Sequence, residues 1–231
     1  MSMKQMKKLI LTFLVGCFAI GQLSAQVDKS AEEKAEYRKV VTGRADKIVA
    51  DLGIADSSKY GRVREIIAQQ YIDLNEIHDG RNASVKALKE TYKENKEAAK
   101  PAVEKVEKKA DKKLGKLHKK YIAKLNKELT AGQVEMVKDG MTYKVLPITY
   151  KGYMEMLPNI TQEQKKQILV YLTEAREHAM DAESSEKKHG WFGKYKGRIN
   201  NYLSAAGIDM NKASKEWQQR IKAEAQNKAG N

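Results

Sequence analysis

Glu174, His178 and Asp181 form the densest grouping of chemically capable side chains in this 231-residue sequence. On a helix, Glu174 and His178 stand at i,i+4 and His178 and Asp181 at i,i+3, so the three can touch. With Glu177 beside them they could hold a metal or set an acid against a base. No HExxH or paired-histidine pattern accompanies them, so a histidine ion-paired near Arg176 is the plainer expectation. A glycosidase needs two carboxylates about 5 to 9.5 Å apart across one bond, and the sequence supplies no second partner. Neither a nucleophile elbow nor a Gly-rich phosphate loop occurs. The reading leans away from an enzyme and calls for no cofactor and no metal.

Sugar binding suits the same region better. Aromatic faces stack on pyranose rings while charged and amide side chains bond the hydroxyls. Tyr143, Tyr150, Glu174, His178, Asp181, His189, Trp191 and Arg198 are the candidate ligand-binding residues. They converge only if the segment 140–157 lies over the helices that follow it. Against this stands the ordinary fate of a large aromatic on a helical stripe, which is to pack in the core.

The elements that must position these residues are helical. Ile168, Leu172, Ala175 and Ala179 recur at steps of three and four after Thr161, and Ser184 and Ser185 can cap a following helix carrying Trp191, Tyr195, Ile199 and Tyr202. A short turn makes the two antiparallel. Upstream, Ser30 with Glu33 closes a capping box before a helix that Gly53 ends, and a second helix runs from the turn at Asp56–Ser58 to a stop before Asp79-Gly80.

From Lys86 to Glu128 there are 15 lysines against 7 acids. There Val103, Val106, Ala110, Leu114, Leu117, Tyr121 and Leu125 make a narrow, nearly heptad seam. Packing within the chain is the first expectation for it and oligomerisation through 103–125 the second. Pro101 predicts a kink or a first helical turn. Residues 140–157 break the rhythm, with Tyr143, Val145, Pro147 and Thr149 alternating, and are expected to form an extended, non-helical connector. A last helix carries Trp217 and Ile221. The expectation is thus all-α: an elongated bundle of about six helices with a Lys-rich arm at 81–128, one connector at 140–157 and C-terminal helices over 161–222.

At the N-terminus, Lys4, Lys7 and Lys8 precede an apolar run, Leu9 to Gly21, and small residues ending at Ala25, the layout of a secretory signal peptide. Cleavage there would lower the net charge from +14 to +11 and leave no cysteine, which excludes disulfides and thiol chemistry. Leu14-Val15-Gly16-Cys17 resembles a lipobox, but the apolar residues after Cys17 favour plain cleavage over a lipid anchor. A basic protein outside the cytoplasm meets anionic glycans, lipid head groups or unfolded chains rather than nucleic acid. The run is too short to span a bilayer comfortably, so no membrane span is expected.

Two resemblances add to this. Leu129-Thr130-Ala131-Gly132-Gln133 and Ile160-Thr161-Gln162-Glu163-Gln164 resemble the LTxxQ signature of the periplasmic Spy and CpxP proteins, and capping boxes explain the same words. The runs Val137–Tyr143, Glu174–Asp181 and Trp191–Asn200 resemble an uncharacterised secreted family, domain of unknown function 3826. That resemblance implies a setting, Gram-negative bacteria that degrade plant polysaccharides, and no mechanism. The functional expectation is a periplasmic or secreted, non-catalytic binding protein for an acidic plant oligosaccharide. The alternatives are a Spy-like holdase for unfolded clients and an unrecognised carbohydrate-active enzyme.

Overall fold

The computed structural model describes residues 31–229, with side chains through residue 226. The leader expected at 1–25, Cys17 and the Ser30 cap lie outside them. Eight helices and no strand occur among the described residues. They are α1 (31–50), α2 (Ser57–Thr91), α3 (Lys96–Glu128), α4 (Ala131–Met141), α5 (Val145–Met156), α6 (Gln162–Met180), α7 (Ser185–Ala205) and α8 (Met210–Ala229). None is long and apolar enough to cross a membrane.

Gly53, at φ +67°, ends the first helical segment in the left-handed conformation that costs glycine nothing. Asp56 then opens α2 by accepting hydrogen bonds from the backbone N–H groups of Ser58 and Lys59 at 2.8 and 3.2 Å. The second helix does not stop at Asp79-Gly80. It runs on for 35 residues, because one glycine costs a helix only about 1 kcal/mol and tertiary packing offsets that. Asn75 reaches Asp79 along the same face at 2.6 Å, so the turn-forming carboxylate is engaged within the helix. The Lys-rich arm is therefore the outer half of α2 turning at 92–95 into α3. The seam of α3 packs inside the chain: Ala110, Tyr121 and Leu125 are buried, and Val103, Val106, Leu114 and Leu117 half-buried. Pro101 is the sixth residue of α3, past the first turn, where its missing N–H leaves one carbonyl without a helical donor.

The expected connector at 140–157 is corrected to a helix. Pro147 is the third residue of α5, and the first N–H groups of a helix have no intrahelical acceptor, so proline is tolerated there. The break in rhythm is confined to Thr142–Lys144, where Tyr143 and Lys144 both adopt left-handed φ of 59° and 55°. Both LTxxQ threonines, Thr130 and Thr161, form complete capping boxes with Gln133 and Gln164. Arg220 of α8 donates to the carbonyls of Glu155 and Met156 at the end of α5, a cation where the helix dipole favours one.

Two cores result. One gathers α1, the inner halves of α2 and α3, and α4 around Val41, Val49, Ile67, Tyr121 and Leu125. The other gathers α5 to α8 around Ile168, Leu172, Phe192 and Ile199. Met180, the last residue of α6, belongs to the first core, while the rest of the buried α6 ladder belongs to the second.

The approach of α4 to α1 is close at Gly140, where an added Cβ would stand 2.9 Å from Ile48 Cγ1 and 3.1 Å from Cγ2. Gly140→Ala should therefore lose about 1–2 kcal/mol in urea denaturation despite alanine's better helix propensity. A raised midpoint would show that the two helices have room to separate.

Candidate functional site

The turn between α6 and α7 is the meeting place of the molecule's polar side chains. Beneath it lies an ionic network. Arg176 of α6, only 3% exposed, donates to Asp139 Oδ1 at 2.7 Å, to Glu135 and, at 3.5 Å, to Glu177. Lys138 of α4 bonds Glu177 and Glu135, both at 3.1 Å. His118 of α3 completes it, with Nδ1 2.9 Å from Asp181 Oδ2 and Nε2 3.3 Å from Glu177 Oε2. Hydrogen bonds donated to the Asp181 and Glu177 carboxylates outweigh burial and lift His118 to about 9. Burial would raise Glu177, but its bonds to His118 and Lys138 and the surrounding cations bring it down to about 2.

Two clefts open beside this network. The first, about 540 Å³, is walled by Tyr37, Tyr71 and Tyr143 and carries Arg44, Lys47 and Lys188. Lys188 is buried; its Nζ donates to the carbonyl of Met141 at 2.9 Å and stands 5.5 Å from the centre of the Tyr71 ring. Burial lowers it to about 8, against the attraction of Asp181 and with the repulsion of Arg44. Arg44 also pulls on the phenols of Tyr37 and Tyr71, so these groups share one space. Burial takes Tyr71 up to about 12, which keeps its hydroxyl a donor. The second cleft, about 680 Å³, lies between the arm and the α6–α7 turn, with His178, Asp181 and Trp191 on one side and Glu107, Asp111 and Leu114 on the other.

The structure divides the eight expected residues rather than gathering them. Tyr143 lines the first cleft and stacks on His189, ring centres 5.4 Å apart. His178 stacks on Trp191 at 4.3 Å, and with Asp181 this pair lines the second cleft. Glu174 faces Arg198 at 4.0 Å on the surface, and the Arg198 guanidinium lies 4.6 Å over the Tyr195 ring. Tyr150 packs against the second core. Asp181 is bonded by His118, from a helix 63 residues earlier, and not by His178. Among the described residues no group of three His, Cys, Asp or Glu side chains is disposed to hold a metal ion.

Arg44, Tyr71, His78, His118 and Lys188 were not among the expected residues. A signal for two of them, Lys188 and His78, was present. Lys188 heads the buried ladder Phe192, Tyr195, Ile199 and Leu203, and His78 follows Val63, Ile67 and Leu74 in register. His118 falls beside the seam, one turn from Leu114 and from Tyr121. A polar residue at an apolar position of a helix is buried unless the helix ends, and a buried polar group needs a partner.

A family model described as Protein of unknown function (DUF3826) matches residues 38–223. The chain belongs to this family. The DUF3826 match runs from α1 into α8 and contains every residue of the two clefts named above except Tyr37. No curated protein matches the chain.

The pH behaviour of the network has a sign. Because His118 is raised from 6.5 to about 9, its contribution is complete below pH 6.5 and is lost as pH climbs through 9. Glu177, lowered from 4.5 to about 2, contributes above pH 4.5 and is lost as pH falls through 2. Melting temperature should fall between pH 6.5 and 8 in the natural protein; above pH 8 the depressed Lys188, neutral in the folded state and still charged in the unfolded one, acts in the opposite sense. His118→Asn should flatten that slope and be less stable by about 1–3 kcal/mol at pH 6. Superimposable profiles would mean that the imidazole contributes nothing.

Proposed function

We propose that this protein is a secreted, non-catalytic binding protein for acidic oligosaccharides, and that its first cleft receives a carboxylated sugar. The observation that carries the reading is Lys188. A buried ammonium has three donors, and among the described residues one of them is engaged, by the carbonyl of Met141. A ligand carboxylate entering between Lys188 and Arg44 would supply the missing acceptor and the counter-charge together, as charge-assisted bonds in a partly dry site. Tyr37, Tyr71 and Tyr143 add apolar faces for a pyranose ring and hydroxyl donors for its oxygens. The cleft falls in the size range of small-ligand sites, about 300–1,000 Å³. The net charge, +11 once the expected leader is removed, favours encounter with polyanions, and the setting implied by the family resemblance makes a plant uronide the first choice.

The holdase reading draws less support. Its requirement is a continuous solvent-facing apolar surface. The large apolar side chains left exposed, among them Val40, Met136, Ile148, Leu169 and Ile221, come from five different helices. The LTxxQ words that suggested it are accounted for by the two capping boxes.

Calorimetric titration with galacturonic acid oligomers tests the proposal. Saturable heat is expected, weakened at least about tenfold by Arg44→Ala or Lys188→Met, a loss of about 1.4 kcal/mol. Because a carboxylate favours the charged lysine, affinity should hold below pH 8 and fall above it, and Lys188→Met should abolish that dependence. A folded protein that gives no heat with any uronide would sink the idea.

A further inference from the structure

The two clefts adjoin: His78, Ala182 and Glu183 line both, at the turn that joins α6 to α7. We infer that together they form one groove that reads the junction between an acidic and a neutral sugar, the carboxylated unit against Arg44, Lys47 and Lys188 and the uncharged unit against the His178–Trp191 stack. This rests on the proposed uronide site in the first cleft.

Charge separates the halves. In the first cleft the three cations face one carboxylate, Glu183, which is already paired with Arg81. The second cleft carries Glu107, Asp111, Asp181 and Glu183 against Arg81 and Lys187. Asp181 is bonded by His118 and Glu183 by Arg81, so Glu107 and Asp111 are left facing Lys187. A second uronate there would meet repulsion, whereas a neutral pyranose would find an exposed imidazole stacked on a half-buried indole, with carboxylates to accept its hydroxyls.

The junction has a vacancy in its hydrogen bonding. His78 is buried, and its Nε2 lies 2.7 Å from the carbonyl oxygen of Asp181, which only accepts, so Nε2 carries the proton. The other ring nitrogen, Nδ1, has no hydrogen-bond partner and stands 4.0 Å from Glu183 Oε2. Buried polar atoms without partners are uncommon in native proteins. Uncovered by a small shift of the turn, this nitrogen would accept from a sugar hydroxyl at the bend between the two units.

Titrations of the full chain with three probes decide the matter: a free uronic acid, a homodiuronate, and an aldobiouronic acid in which a uronic acid is linked to a neutral hexose. The aldobiouronic acid should bind at least about tenfold more tightly than the free acid, and the homodiuronate should show no such gain. Trp191→Ala should cost the aldobiouronic acid about tenfold and the free acid far less. Where that variant fails to fold by circular dichroism, Glu107→Gln with Asp111→Asn, both at exposed positions, carries the test, since it should let the homodiuronate gain several-fold. Equal affinities for the free acid and the aldobiouronic acid overturn the two-part groove and leave the first cleft standing. So does a homodiuronate that gains as much as the mixed disaccharide. Silence from all three probes removes the uronide site itself.

Discussion

A guanidinium that is 3% exposed must find its counter-charges inside the protein, and Arg176 finds them on two helices, at Asp139 and Glu135 of α4 and Glu177 of its own α6. With His118 bonding Glu177 and Asp181 from α3, the ionic cluster ties the first core to the second. Apolar packing alone would tolerate a shift of α6 against α4 more readily, since burial is not directional. Charged hydrogen bonds do not permit that. Removing Asp139 would leave the buried guanidinium to the half-exposed Glu135 and to Glu177 at 3.5 Å, a loss of up to about 3–5 kcal/mol, far more than the pair adds relative to a well-packed apolar substitute. The cluster's effect is to fix where α6 ends, and α6 ends at the turn where both clefts meet.

The Tyr143–Lys144 backbone does a related job on the other side of the first cleft. Two successive non-glycine residues in the left-handed region cost roughly 1–2 kcal/mol each. The surroundings hold them there: Lys144 N–H donates to the carbonyl of Asp139 at 2.7 Å, its ammonium reaches Asp51 at 2.8 Å, and Thr142 is fully buried with its hydroxyl on the carbonyl of Lys138. The conformation directs the half-exposed Tyr143 ring onto His189 at the edge of the cleft. Asp139, which anchors the turn through its carbonyl, anchors Arg176 through its carboxylate, so the turn and the ionic cluster are mechanically joined.

How much of this the sequence discloses depends on the range of the interaction. Caps are local, and those at Asp56, Thr130, Thr161 and Ser184 are where the residue types and spacing put them. The α6–α7 hairpin and the internal packing of the α3 seam follow from ladders of apolar residues. Errors arose where a local breaker was overridden. Asp79-Gly80 reads as a stop, but residues on both sides pack as one continuous helix; Pro147 reads as a bar to helix, but it sits in the first turn, where its lack of an N–H is harmless. The candidate site was legible only in pieces. Trp191, His178, Asp181 and Tyr143 do line clefts, yet spacing along α6 suggested that His178 would meet Asp181, and the imidazole that does so comes from α3. A pairing across 63 residues leaves no periodic trace. Lys188 and His78 did leave one, as polar residues in apolar register.

Between residues 82 and 109 Ala99 alone is buried, so the far end of the α2–α3 arm is two helices leaning on each other with little between them. Short helical segments in water hold only marginally by themselves, and this end borrows its order from the inner halves anchored at Leu74, Tyr121 and Leu125. Its amide protons should exchange with solvent long before those of α4 or α6, and a protease should cut first near the 92–95 bend. The lysines there thus ride on the least anchored part of the molecule, while its body keeps its shape.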